Sequence, residues 1–291
     1  MLVESIVMEW QDRRAPVMTA RTIATNVAPL EKICEHLGPL EPHMVDLLVV
    51  ERFRNTLLEQ GLSKITVARY LSVLRAAGGE HFKHLNIGKL ISELKREPTK
   101  VECWTKEEAK KIIESASKSV YNLAENSRLF FPHFIELLFA TGMRRGEALS
   151  LCETDLDFNR GRIHIHRALT LDGKLQNGTK WGGERWFPMS TLVRNLVVLV
   201  SNEPHFVGEE PRLFSRLDQR QVGRQFNRVR DAAGVRPFKL HCTRHSAISW
   251  ALSSGMSLRK ASEIFGVSQA TLEKHYAHYV EEKVDMDWAN L

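Results

Sequence analysis

From residue 1 to about residue 92 the apolar side chains recur at helical spacing almost without a break, and this limits what the chain can fold into more than any other feature. Ile23, Val27, Leu30, Ile33 and Leu37 follow one another at intervals of three or four, which places them along one side of a helix. Gly38-Pro39, Pro42 and Gly61 interrupt the run, so the pattern predicts four helices and a small helical domain over 1–92. Residues 93–104, inside the polar stretch SELKREPTKVECWT with Pro98, read as a linker. A chain of 291 residues is in the range of roughly 250–300 at which single cores stop growing, so a second domain over 105–291 follows.

That second domain opens on TKEEAKKIIESASK, where Thr105 suits a helix N-cap and Glu107 and Glu108 suit the positive end of the helix dipole. LFFPHFIELLFATG predicts a buried helix ending at Gly142, with Pro132 tolerated near its start. DLDFNRGRIHIHRAL then alternates around Asn159 and Gly161, and KWGGERWFPM has the aromatic and glycine pattern of a hairpin strand. From TLVRNLVVLV onward the spacing is helical again. The fold class is therefore mainly α with a small antiparallel β-sheet in the C-terminal domain.

Composition excludes some functions and favours others. Hydrophobic residues are 43% and charged residues 26%, as in an ordinary soluble protein, and the formal charge of +6 leans toward a polyanionic partner. No apolar run reaches the roughly 18 residues that span a bilayer, and the N-terminus lacks a basic region followed by an apolar one, so the chain reads as cytoplasmic and without a membrane partner. Cys34, Cys103, Cys152 and Cys242 are scattered, with no zinc spacing, and read as buried thiols of a reducing compartment.

Two clusters at helix borders carry chemistry. In ATGMRRGEALSL, Gly142 ends one helix and Arg144 stands beside the exposed amides of the next, where an anion is welcome. In KLHCTRHSAISWAL, His241 and Arg244 lie three apart and share a helix face. Two arginines and a histidine converging on one point make a phosphate clamp; each arginine taken alone reads as a surface ion pair.

These motifs resemble those of the tyrosine recombinases, the family that includes the phage integrases. TGMRRGEAL looks like the family's first-arginine motif, which puts that role on Arg144 and a supporting acid on Glu147. HCTRH looks like its His-x-x-Arg box, matching His241 and Arg244, with His245 where members often carry a second histidine. TKWGGERWFPM is similar to its β-hairpin, in which a mobile lysine, here Lys180, precedes an arginine by five residues; Lys174 is the competing candidate. TLEKHYAH resembles the nucleophile segment and matches Tyr276, with Tyr279 close to the same helix face.

The resemblance implies a two-domain clamp on double-stranded DNA, working as a homotetramer through a Holliday junction, with an accessory DNA-bending protein as a further partner. It implies strand cleavage by Tyr276 through a 3′-phosphotyrosine, with the phosphorane charge stabilised by Arg144 and Arg244, a proton donated to the leaving 5′ hydroxyl by Lys180, and His241 donating a bond or taking up the tyrosine proton. Fixed cations serve this chemistry, and no metal or other cofactor is called for. The acidic tail EEKVDMDWANL, with Trp288 as an apolar anchor, is suited to docking on a neighbouring protomer. With the helical domain starting at residue 1, no separate arm-site domain is expected.

One position departs from the family pattern. Val267 stands nine residues before Tyr276, after a glycine, where members carry His or Trp, and valine has no donor to offer. A recombinase-like DNA-binding protein with weak or no cleavage is the alternative, and a relaxing enzyme like a type IB topoisomerase is a third reading. Of the remaining polar and aromatic residues, His275 and His278 read as solvent-facing and Trp181 and Trp186 as hairpin packing. Arg220, Arg224, Arg228 and Arg230 read as a solvated basic face that also suits phosphates.

Overall fold

The computed structural model describes residues 1–94, 101–118, 130–170, 172–178, 183–201 and 212–280. Lys180, Trp181, Trp288 and residues 95–100 of the expected linker lie outside the described residues. The chain separates into two compact units, Met1–Glu97 and Pro98–Leu291.

The first unit's described residues form five α-helices: α1 (Val3–Arg14), α2 (Ala20–Leu37), α3 (Leu47–Glu59), α4 (Lys64–Gly78) and α5 (Ile87–Glu93). Short polar side chains start most of them: Thr19, Asp46, Ser63 and Asn86 each accept a bond from the backbone N–H three residues on. The fifth helix is one more than the apolar spacing predicts, because Gly78-Gly79 ends α4, Gly79 taking a φ of +47°, and the chain restarts at Asn86. Val7, Leu30, Ile33, Leu37, Phe53, Leu57, Leu71 and Phe82 make the core. Val27 does not join it and is 46% exposed, while Asn26 is buried; the face set by Leu30, Ile33 and Leu37 continues through i−4 of Leu30, not i−3.

The second unit's described residues form α6 (Lys106–Lys118), α7 (Phe130–Thr141) and the short α8 (Arg145–Leu149), then five short strands, then α9 (Thr191–Ser201), α10 (Gln219–Ala232), α11 (Cys242–Ser253), α12 (Leu258–Phe265) and α13 (Gln269–Tyr276). Thr105 caps α6 reciprocally with Glu108: its Oγ1 accepts from Glu108 N at 3.2 Å, and its own N donates to Glu108 Oε2 at 2.8 Å. Strands β1 (Leu156–Asp157), β2 (Arg162–Ile165) and β5 (Arg185–Pro188) form an antiparallel sheet in the order β1-β2-β5, with Ile163 opposite Phe187 and His164 opposite Trp186. A second antiparallel pair, β3 (Arg167–Leu169) with β4 (Leu175–Asn177), adds to the single sheet expected. β3 falls within the alternating stretch DLDFNRGRIHIHRAL, but β4 is three residues long and exposed throughout, so no alternation marks it.

Trp104 anchors this unit's core, fully buried and edge-on to Phe139 and Phe226, with its indole N–H on the Arg236 carbonyl. Cys152 and Cys242 are buried thiols, but Cys34 and Cys103 are only half-buried, which corrects the expectation of four buried ones. Arg230 also departs from expectation. It lies one turn from Phe226 on the inner side of α10, bonded to Asp231, Asn227 and the Phe238 carbonyl, leaving Arg220, Arg224 and Arg228 as the exposed face. Trp186 is 41% exposed, between the Arg162 guanidinium at 3.8 Å and the His164 ring at 4.4 Å.

Candidate active site

Arg144 is the N-cap of α8, where φ −68° and ψ 147° turn the chain out of the helix. Its backbone N–H and its guanidinium both donate to Glu147, at 3.0 and 2.7 Å, and its other arm reaches the Gly266 carbonyl at 3.3 Å. Gly142, just before it, has φ +61°, and a Cβ there would lie 3.0 Å from both Ala247 and Phe265; the α7–α8 corner therefore needs glycine.

Glu147 is 1% exposed and holds a second arginine as well. Arg185, the first residue of β5, donates to its two carboxylate oxygens at 2.6 and 3.3 Å and to the Ile264 carbonyl at 3.1 Å. Burial alone pushes the Glu147 carboxyl up, but the hydrogen bond and charge of Arg185, then the charge of Arg144, outweigh it and hold the group at about 2. The sequence marks Arg185 only by its five-residue distance from Lys180; its partner on α8 lies 38 positions earlier and leaves no local signal.

Arg244 occupies the first turn of α11 and is 3% exposed. Its guanidinium donates to the carbonyls of Gly142 at 2.8 Å, of Phe265, and of Gly266 at 3.4 Å. Gly266, the left-handed C-cap of α12, thus offers one carbonyl to both Arg144 and Arg244. Burial and then the nearby charge of Arg144 pull Arg244 down to about 9, which leaves it charged at neutral pH. Val267 follows Gly266 and packs against the core half-buried.

His241 is the N-cap of α11, and its ring meets that of His245 edge-on at 5.0 Å between centroids. His245, one turn further along α11, pairs through Nδ1 with the Tyr276 hydroxyl. Burial, then the charges of His241, Arg244 and His275, lower the His245 imidazole to about 4, so it is neutral at physiological pH. Tyr276 ends α13 and is 3% exposed, and burial pushes its phenol up while Arg244 works in the opposite direction.

Tyr279 goes elsewhere. The chain leaves α13 through the 3₁₀ turn Ala277–Tyr279, which breaks the helical relation between the two tyrosines, and Tyr279 meets the Cys103 thiol at 2.9 Å and the Val101 carbonyl at 3.4 Å. The ring of His278 lies 4.2 Å from that of Tyr279, and His275 is half-buried, so only His278 of the pair is solvent-facing. Lys174 is exposed and pairs loosely with Asp172 at 3.9 Å. The structure therefore brings together Arg144, Glu147, Arg244, His241, His245 and Tyr276, adds Arg185, and places Val267 beside Gly266.

A mainly helical unit with small antiparallel sheets, in which two arginines share one acceptor near a buried tyrosine, defines the class of the tyrosine recombinases. Residues 102–283 match the model of the phage integrase family, well over half of the chain, and the chain belongs to that family. It is 26% identical over 255 residues to tyrosine recombinase XerC of Thermodesulfovibrio yellowstonii, covering 84% of this chain and 81% of that protein. Among solved structures it is similar to the Tn1549 transposon integrase in complex with transposon right end DNA, with a TM-score of 0.77 and 20% identity over 100% of this chain and 98% of that one. It is also similar to a lambda integrase tetramer bound to a Holliday junction, with a TM-score of 0.73 and 14% identity over 98% of this chain and 78% of that one. At these identities the two structures establish the fold. Among the described residues, no helix is long and apolar enough to cross a membrane.

Proposed function

We propose that this protein cuts and rejoins double-stranded DNA at specific sites, with Tyr276 as the nucleophile. The observation that carries the proposal is the meeting of motif residues from distant parts of the chain: Arg144 and Arg244 share the Gly266 carbonyl, and Arg244 lies on the same helix as the histidine that holds the Tyr276 hydroxyl. In the reaction, the tyrosine oxygen bonds to phosphorus and the bond to the 5′ oxygen breaks, leaving a 3′-phosphotyrosine that conserves the bond for religation. Arg144 and Arg244 donate forked hydrogen bonds to the nonbridging oxygens as charge builds on them. Glu147 keeps Arg144 and Arg185 in place, and Lys180 gives the departing 5′ oxygen the proton that makes it a hydroxyl.

The helical 1–92 segment serves as the core-site DNA-binding domain and 105–291 as the catalytic domain, joined by 93–104. The exposed face of Arg220, Arg224 and Arg228 suits duplex phosphates. The proposed homotetramer is supported by an apolar groove of about 490 Å³ lined by Phe139, Leu192, Trp250 and Met256, with Lys106 and Lys110 outnumbering Glu136 among its charged residues. Its chemistry complements the tail's Trp288 and acidic residues.

The test is covalent trapping. Nicked suicide duplexes tiled across the DNA that flanks the gene are incubated with the protein in excess chelator, and one of them is expected to yield an adduct at full rate, because the required positive charges reside on side chains. A strict need for a divalent cation in strand cleavage overturns the mechanism; binding without any adduct favours the binding-only reading.

Val267 provides a second prediction. A donor aimed at developing charge is worth about 3 kcal/mol, roughly a hundredfold in rate, so Val267→His is expected to raise the single-turnover cleavage rate by up to that factor. An unchanged rate means that another group already fills the role.

A further inference from the structure

We infer that His245 is the group that accepts the Tyr276 proton during strand cleavage and returns it during religation. The inference rests on the proposed attack by Tyr276 and supplies the proton step which that reaction requires.

A phenol cannot attack phosphorus and keep its proton, and a buried one, disfavoured as an anion, does not release it unaided. Among the described residues, the hydrogen-bond partner of the Tyr276 hydroxyl is His245 Nδ1. His241, the histidine singled out by the His-x-x-Arg motif, is turned toward the His245 ring instead. The placement follows from the helix: Arg244 and His245 are neighbours in the first turns of α11, so Arg244 reaches Gly142 and Gly266 while His245 reaches α13.

The imidazole is held neutral at neutral pH by burial and by the charges of His241, Arg244 and His275. The role assigned to it requires the tautomer with the proton on Nε2, which leaves the Nδ1 lone pair facing the Tyr276 hydroxyl. An arriving phosphate places negative charge beside Arg244 and offsets part of that cationic field, so the affinity of His245 for a proton rises as the substrate settles. As the Tyr276 Oη–P bond forms and the P–O5′ bond breaks, the phenol proton moves to His245 Nδ1 and makes an imidazolium. The departing 5′ oxygen takes a separate proton from Lys180. Religation reverses both transfers, and no oxidant or cofactor enters the balance.

The test uses His245→Asn in the full-length protein, because the asparagine amide oxygen can take the place of Nδ1 as an acceptor but cannot carry the proton. Duplex binding is expected to be unchanged, and single-turnover cleavage to fall by about a hundredfold or more. The remaining rate should climb about tenfold per pH unit as hydroxide replaces the histidine, while the wild type stays flat around neutrality. A substrate with sulfur at the bridging 5′ position, whose leaving group needs no proton, should not rescue the variant.

A His245→Asn rate within threefold of wild type, rescue by the sulfur substrate, or a hydroxide-dependent slope in His241→Asn instead overturns the assignment. Nitrogen NMR of the free, histidine-labelled protein gives a readout independent of activity: His245 should carry its proton on Nε2, with Nδ1 bare. A protonated Nδ1 defeats the inference whether or not the wild type forms adducts. Absence of adducts from the wild type, with Nδ1 bare, defeats the proposed function and leaves the hydrogen-bond assignment standing.

Discussion

Tyr276→Phe is expected to abolish the covalent protein–DNA adduct while leaving duplex binding intact, and Tyr279→Phe to retain adduct formation. The two phenols are three residues apart but differ in surroundings. Tyr276 sits in the core of the second unit with its hydroxyl on His245 and with Arg244 close enough to favour its anion. Tyr279 bonds to Cys103, and burial followed by that thiol makes its phenolate harder to form. Removing the Tyr276 oxygen removes the atom that must bond to phosphorus, so the loss is complete. Removing the Tyr279 oxygen costs its bonds to Cys103 and Val101, about 1 kcal/mol of stability each. Gel mobility of trapped adducts, with parallel binding measurements, checks both. The reverse pattern would move the nucleophile to Tyr279.

Glu147→Gln has the second largest expected effect. The native carboxylate pairs with both Arg144 and Arg185 from a site with 1% exposure. Taking away one partner of a buried ion pair costs about 3–5 kcal/mol, because the remaining charge keeps its desolvation penalty. For a unit of this size that lowers the melting temperature by roughly 10 °C, and activity falls with it as Arg144 loses its orientation.

The pH dependence has a definite sign. The folded Glu147 value of about 2 lies below the ordinary carboxylate value of 4.5, so its stabilisation is fully present above about pH 4.5 and is lost as pH falls toward 2. The displacement corresponds to about 3 kcal/mol. His245 acts in the same direction at higher pH. Its folded value of about 4 is below the ordinary 6.5, so stability is lost as pH falls from 6.5 toward 4. Melts at neutral pH and at about pH 3 should therefore show the gap between wild type and Glu147→Gln narrowing in acid. A constant gap would mean that the carboxylate is not the source.

Residues whose role follows from local spacing are legible in the sequence itself. The His241–Arg244 interval on one helix, the glycine corner before Arg144 and the Thr105 cap all follow from positions a few residues apart. Groups defined by long-range partners are not legible in that way. Arg185 is marked only by its distance from Lys180 until β5 brings it to Glu147, and Tyr279 looks like a competitor to Tyr276 until the turn after α13 delivers it to Cys103, 176 positions away. The carbonyls of Gly142, Phe265 and Gly266 belong to no side chain, so no residue type announces them. Val27 falls on an unexpected face because approximate spacing leaves a choice between i−3 and i−4, which only packing decides, whereas Arg230, two residues past Arg228 and four past Phe226, turns to the inner side of α10.

The carbonyls gathered around Arg244 also decide when the cost of ordering the site is met. A free arginine side chain has about 2 kcal/mol of rotamer entropy, and clamping two of them around a phosphate would ordinarily draw on the binding energy of the DNA. Here the backbone at Gly142 and Gly266 immobilises Arg144 and Arg244 during folding, along with the carboxylate of Glu147. DNA then meets donors already in place, and its binding energy remains available for distorting the scissile phosphate. Substitutions that loosen the α7–α8 corner or the end of α12 should accordingly register as slower strand cleavage in bound complexes, with little change in the affinity that forms them.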